Sequence, residues 1–322
     1  MKAIDNTWNN NFIKSLQNKF PRKIQLTQAL TDLLCIEREA VYRRLRKEVV
    51  FPAQEIVKIA SAWNISLDEI TGINAEKILF HLKHVNFINP SDEEYDYLML
   101  LIESFKKLRN YPDAELMNVN NKIPRQLISG YRNLTKFYYL RWAYNNGMEE
   151  EIAPFSKVVL SDKVIRLTTE YYRACKFVPN TNYIWDSNLF HYLVNNIHYF
   201  HSINLITDED KKLIKQDLEA LLDYMLEVAH KGCYPETQNK VNLYISVLNI
   251  DTNYVYAYSP EINFCTVNAF GKNEIFSYNP EMIANFISWM QLKKKTSIQI
   301  SEVDEKSRIE FFTKQKQWIE SL

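Results

Sequence analysis

Arg38, Glu39, Tyr42 and Arg43, followed by Arg46 and Lys47, form the run of this 322-residue chain whose residue types and spacing point to a definite chemistry. A guanidinium carries a planar fork of donors that matches phosphate oxygens and the O6/N7 edge of guanine, and a carboxylate can accept from cytosine N4. Separations of three and four residues place these side chains along one side of a helix. From Arg38 to Lys47 the chain carries Arg38, Arg43, Arg44, Arg46 and Lys47 against Glu39 alone, a local basic excess of four. The whole molecule has 39 basic and 39 acidic residues, so overall charge draws in no polyanion and any contact with nucleic acid must come from such a placed patch. A charge run is usually a solvated helix face, so the patch acquires meaning only from the elements that present it.

Other constellations have plainer explanations. His191, His198 and His201 could share one helix face and hold a divalent ion, but Phe190, Tyr192, Tyr199 and Phe200 around them read as ordinary half-buried helix, and no carboxylate supplies a fourth ligand. Glu149 to Glu151 reads as a solvated loop, and Asp208 to Asp210 as the first turn of a helix, where acids favour the dipole. Tyr254, Tyr256 and Tyr258 could line a ligand cavity or a dimer seam; packing against a helix layer is the simpler role. The five glycines are too scattered for a dinucleotide or phosphate loop, and neither H-E-x-x-H nor G-x-S-x-G occurs. No catalytic residue, metal ligand or cofactor site is assigned. Cys35, Cys175, Cys233 and Cys265 form no Cys-x-x-Cys pair, which argues against a disulfide framework or zinc ribbon. No apolar run is long enough to span a bilayer and no signal-peptide core is present at the start, so the expectation is a cytoplasmic protein without membrane attachment.

The elements that must position the basic run are short helices. Trp8 to Phe20 predicts a first helix. Thr27 is a candidate N-cap for a second, whose Leu30, Leu33 and Leu34 form an apolar stripe. A turn at Cys35 and Ile36 leads to a third helix from Glu37 through Lys47, with Val41 and Leu45 facing inward. Pro52 suits the first turn of a fourth, carrying Ile56, Ile59, Ala60 and Trp63, and Ser66-Leu67-Asp68-Glu69 reads as a capping box. Two helices joined by a tight turn, the second with basic side chains outward, satisfy what reading the major groove requires.

LTDLLCIEREAVYRRLRK (Leu30 to Lys47) and IASAWNISLDEI (Ile59 to Ile70) carry a resemblance as well. From about Leu26 to Ile73 the chain resembles the repressor-type helix-turn-helix family of phage and bacterial regulators, also called the xenobiotic response element family. It departs from the pattern at Cys35, where the family usually has Gly, at Glu37 in place of a common Ser, and at Arg44, where Trp or Leu is often buried. The resemblance implies a sequence-specific DNA-binding transcriptional regulator, working as a homodimer on paired half-sites of double-stranded DNA. Arg38 is the foremost candidate for a base contact, followed by Glu39, Tyr42 and Arg43; Thr27, Gln28, Arg46 and Lys47 would position on phosphates.

Downstream, Ser91 with Glu94 reads as a cap and its partner ahead of a helix through Phe105, and further helices are predicted over Pro124 to Asn145, Ser161 to Phe177, Ser187 to His201 and Thr207 to Lys231. After Pro235, the segments Val241 to Ile250, Tyr254 to Tyr258, Ile262 to Phe270 and Ile275 to Tyr278 predict a small antiparallel meander, and two helices follow, starting at Asn279-Pro280 and at Ser301 with Asp304. The expected fold is mainly α with an α+β ending: a DNA-binding domain over 1–75 of four or five helices, then 76–322 for dimerisation, effector sensing or both, helical over 76–235 and a β-meander plus helices over 236–322. The effector would be a small molecule or a peptide. A protein- or peptide-interaction adaptor with a helix-turn-helix-like docking module is the alternative, and an enzyme fused to a DNA-binding head the third reading.

Overall fold

The computed structural model describes residues 7–20, 22–63, 65–71, 81–83, 92–145, 152–269, 274–277 and 279–322. The expected boundary at 75/76, the cap at Ser91, the run Glu149 to Glu151 and the strand ends Phe270 and Tyr278 lie outside the described residues, as do the side chains of Asp68, Glu69 and Glu94. The chain divides into two compact units, Met1–Leu79 and Phe80–Leu322.

The first unit is helical: α1 (Thr7–Lys19), α2 (Lys23–Leu34), α3 (Arg38–Leu45), α4 (Ala53–Trp63) and α5 (Leu67–Thr71). One apolar residue or pair from each helix meets in a single core, Phe12 and Leu16, Leu26 and Leu30, Val41, Ile59 and Ile70, with Phe51 set edge-on to Phe12 at 5.2 Å between ring centroids. Burial of each such side chain is worth about 1.5–3 kcal/mol, and it offsets the low intrinsic stability of helices this short. Thr27 is not the N-cap expected of it. Arg22 holds that position, and Thr27 lies inside α2, 2% exposed, its Oγ1 donating to the Lys23 carbonyl at 2.9 Å. Starting the helix early brings Leu26 onto the core face beside Leu30.

The second unit opens with β1 (His81–Lys83), α6 (Asp92–Leu108) and β2 (Glu115–Asn120). Then come α7 (Arg125–Ile128), α8 (Arg132–Asn145) and α9 (Asp162–Cys175), which lead to β3 (Asn180–Trp185). Helices α10 (His191–Ser202) and α11 (Asp208–Lys231) lead in turn to β4 (Lys240–Ser246). The remainder is β5 (Tyr254–Ser259), β6 (Ile262–Asn268), β7 (Glu274–Ser277), α12 (Pro280–Lys295), β8 (Ser297–Gln299) and α13 (Glu305–Glu320).

The expected helical layer followed by a small antiparallel meander is overturned. The strands build one mixed sheet in the order β1-β7-β6-β5-β2-β3-β4-β8, in which β2, β3 and β4 run parallel and the other neighbours antiparallel. The class is α+β, and β4 pairs with β3 and β8, not with β5. β2 and β3 escape a sequence reading because five of the six residues in each are buried. Each is also only six residues long with two asparagines, a residue depleted in strands, so the strand signal is weak.

Helices cover both faces. Tyr183, Trp185, Val241 and Leu243 pack with α8, α10, α11 and α13, whereas Met117, Val119, Ile184 and Tyr256 pack with Ile283, Phe286 and Met290 of α12. The predicted helix over Pro124 to Asn145 is broken at Gly130, where a Cβ would stand 2.7 Å from the Tyr172 ring. α11 is closed at each end as its sequence suggests: Thr207 and Asp210 form a reciprocal capping box, and Gly232 takes φ +66°. The last helix is capped by Asp304; Ser301, expected to open it, is buried and accepts from the Leu243 N–H at 3.1 Å. Among the described residues no helix is long and apolar enough to cross a membrane.

Candidate functional site

α2 and α3 meet across the turn at Cys35 and Ile36. Cys35 adopts φ 55° and ψ 43°, and its N–H donates to the Thr31 carbonyl at 2.9 Å, so a non-glycine residue occupies the left-handed position. Val41 is fully buried and Leu45 half-buried, which fixes the rotation of α3 about its axis. That rotation leaves Arg38, Glu39, Arg43, Arg46 and Lys47 exposed and Tyr42 half-buried, with the Lys23 ammonium 5.9 Å from the Tyr42 ring. Gln28 is exposed on α2. Thr27 is buried beneath it, so the phosphate contact expected of Thr27 falls away.

Arg44 turns inward. Its guanidinium forks onto both carboxylate oxygens of Glu55 at 2.7 Å and also donates to the Ala40 carbonyl at 3.0 Å, tying α3 to α4 where the family usually buries an apolar side chain. The outward cations are paired too. Arg38 donates to Gln28 Oε1, and Gln28 Nε2 donates to Asp32 at 2.8 Å. Arg46 reaches Glu39 at 2.7 Å and Glu48 at 3.1 Å, and Arg43 lies 3.8 Å from Glu48. With Glu48 and Glu55 brought onto the patch, the basic excess of four falls to two. Exposed pairs of this kind are worth at most about 1 kcal/mol each, so a phosphate can replace either carboxylate at small cost.

The three histidines are not gathered. His191 lies against the Trp318 ring at 4.0 Å and meets Asn195 through Nε2 at 2.9 Å, and His201 Nε2 stands 3.1 Å from Asp208. Among the described residues no three His, Cys, Asp or Glu converge on a metal position. The tyrosines of β5 point toward α12, where the Tyr254 ring lies 4.6 Å from Trp289.

The opposite side of β5 faces a cavity of about 660 Å³ that no sequence signal indicated. Its floor is the sheet in three rows set by strand register. Leu116, Ala257 and Phe264 form an apolar row; Asn118, Val255 and Thr266 the next; Asn120, Asn253 and Asn268 a polar row that reaches Glu274 on β7. α6, α8 and the start of α10 roof it with Leu101, Tyr138, Arg141 and Asn195. At the carboxyl end of the parallel strand β2 it is lined by Asn120, Asn121 and Lys122. Asn118 and Asn120 are 1% and 2% exposed. Asn118 Oδ1 accepts from Gln126 Nε2 at 3.0 Å, while Asn118 Nδ2 and Asn120 Oδ1 have no hydrogen-bond partner among the described residues. Burial and the neighbouring Arg141 guanidinium hold the Lys122 ammonium below its ordinary pKa. Burial also lowers Arg141 itself.

Comparison with protein-family models, curated proteins and solved structures finds no match to this chain. Asn118 and Asn120 leave one trace in the sequence: carboxamides at alternate positions of the otherwise apolar segment LMNVN, which a strand places on one face.

Proposed function

We propose that this protein is a cytoplasmic, DNA-binding transcriptional regulator that acts as a dimer on paired half-sites. The observation that carries the reading is the α2-turn-α3 unit: Val41 and Leu45 anchor α3 while Arg38, Glu39, Tyr42, Arg43, Arg46 and Lys47 line its outer side. A recognition helix needs that division between an anchored and a free face. A single module of this size reads few bases, hence the dimer. Arg38 and Gln28, hydrogen-bonded to each other, would act as one reading unit, with Arg43 and Arg46 as phosphate contacts that leave their carboxylates for DNA and Lys47 as a third.

A salt titration of binding to genomic fragments tests this. Log affinity should fall with log salt at a slope of about −0.9 per phosphate neutralised. Arg38→Ala should lower specific binding by about tenfold or more with little change in that slope, whereas Arg43→Ala should flatten the slope by about one. Binding in both variants equal to that of the parent protein would dismiss the assignment. The pairing of Arg43 and Arg46 with Glu39 and Glu48 favours a second reading, a module docking another protein. Retention of a protein partner with no DNA affinity at low salt would select it.

A further inference from the structure

The cavity over β2, β5 and β6 is graded along its length, and the gradient specifies an occupant. At one end, Leu116, Ala257 and Phe264 face Leu101 and Leu108 of α6, an apolar surface. In the middle, on a single face of β2, Asn118 and Asn120 hold a buried donor and a buried acceptor that are unused among the described residues, about 6.7 Å apart by the strand repeat. Buried polar atoms left without partners are costly, and a ligand amide offering one acceptor and one donor satisfies both. Past the carboxyl end of β2, Lys122 and the neighbouring Arg141 line the cavity together, and among the described residues no carboxylate pairs with either. Among the described residues the lining carries Lys122, Arg125 and Arg141 against Asp251 and Glu274, an excess of one positive charge that matches a monoanion better than a doubly charged phosphate.

We infer that the cavity binds an N-acylated amino-acid carboxylate: the carboxylate between Lys122 and Arg141, the amide against Asn118 and Asn120, and the apolar substituent against Leu101, Leu108 and Phe264. Both a free N-acyl amino acid and the carboxyl terminus of a short peptide carry this group. The volume suits a ligand of this size, since small-molecule sites span about 300–1,000 Å³. In the reading proposed above this ligand is the regulator's effector, but its binding is a property of the second unit and is measured without DNA, so either conclusion can fail alone.

The test is calorimetric titration of the full chain with N-octanoylglycine, with N-octanoylglycinamide, with an octapeptide ending in Leu-Leu-Gly with a free carboxylate, and with adenosine monophosphate. Saturable binding of N-octanoylglycine identifies a free acyl amino acid as the ligand source, and preference for the octapeptide identifies a peptide end. The glycinamide should bind about tenfold more weakly than the acid, because it lacks the charge-assisted bonds. Lys122→Met and Arg141→Met should each cost a similar factor, and Asn118→Leu should weaken the acid and its amide alike. Absence of saturable binding by either carboxylate at 10 mM overturns the inference. So does equal affinity for the acid and its amide, tighter binding of adenosine monophosphate, or unchanged affinity in both methionine variants.

Discussion

At the scale of single residues, Cys35 and Arg44 shape the two joints of α3, the turn before it and its seat on α4. Cys35 holds a left-handed conformation, φ 55°, in which a side chain costs about 1–2 kcal/mol and glycine almost nothing. Cys35→Gly should therefore raise the stability of the first unit by about 0.5–1 kcal/mol, after allowing for the greater freedom of glycine in the unfolded chain. Urea unfolding of the two proteins measures it, and DNA affinity should stay the same. Arg44 and Glu55 are 14% and 18% exposed, between a surface pair and a buried one. Glu55→Ala leaves the guanidinium half-buried and unpaired and should cost about 1–2 kcal/mol. Changing both to leucine should recover most of that loss, since a well-packed apolar pair can replace an ion pair. The same melts decide it: a double variant no better than Glu55→Ala would mean that the ion pair itself specifies how α3 sits on α4.

At the scale of elements, α10 and α11 carry a pH dependence. Burial, with the Lys211 ammonium and His201 nearby, holds His198 below its ordinary value of 6.5. The folded protein therefore binds this proton less readily than the unfolded chain. Stability from this group is complete above pH 6.5 and is lost as the pH falls below it toward the folded-state value. Melting temperatures from pH 8 to pH 5 should fall more steeply for the parent chain than for His198→Asn; parallel curves would remove His198 as the cause. α3 gives the complementary lesson. Its anchor spacing, Val41 and Leu45, can be read along the chain, but the neutralisation of its basic face by Glu48 and Glu55 depends on the turn after it and on α4 folding back.

At the scale of the whole molecule, β2 joins the parallel half of the sheet to the antiparallel half, because Glu115–Asn120 pairs with β3 on one side and β5 on the other. Val119→Pro removes a ladder hydrogen bond from that central strand and should cost about 3 kcal/mol or more. Limited proteolysis should then cut the second unit while the first resists; equal resistance of both would show that β2 is not the keystone. The sequence by itself determined the helical N-terminal unit, its turn, the anchors of α3 and the capped ends of α9, α11 and α12, because caps, turns and i,i+4 stripes are contacts between near neighbours in the chain. Only the tertiary structure decided the rest. Asn180–Trp185 becomes a strand because Glu115–Asn120 and Lys240–Ser246 lie on either side of it, and neither neighbour is close in sequence. The cavity is assembled from residues as distant as Tyr97 and Glu274, so its graded chemistry exists only once the sheet has brought them to one face.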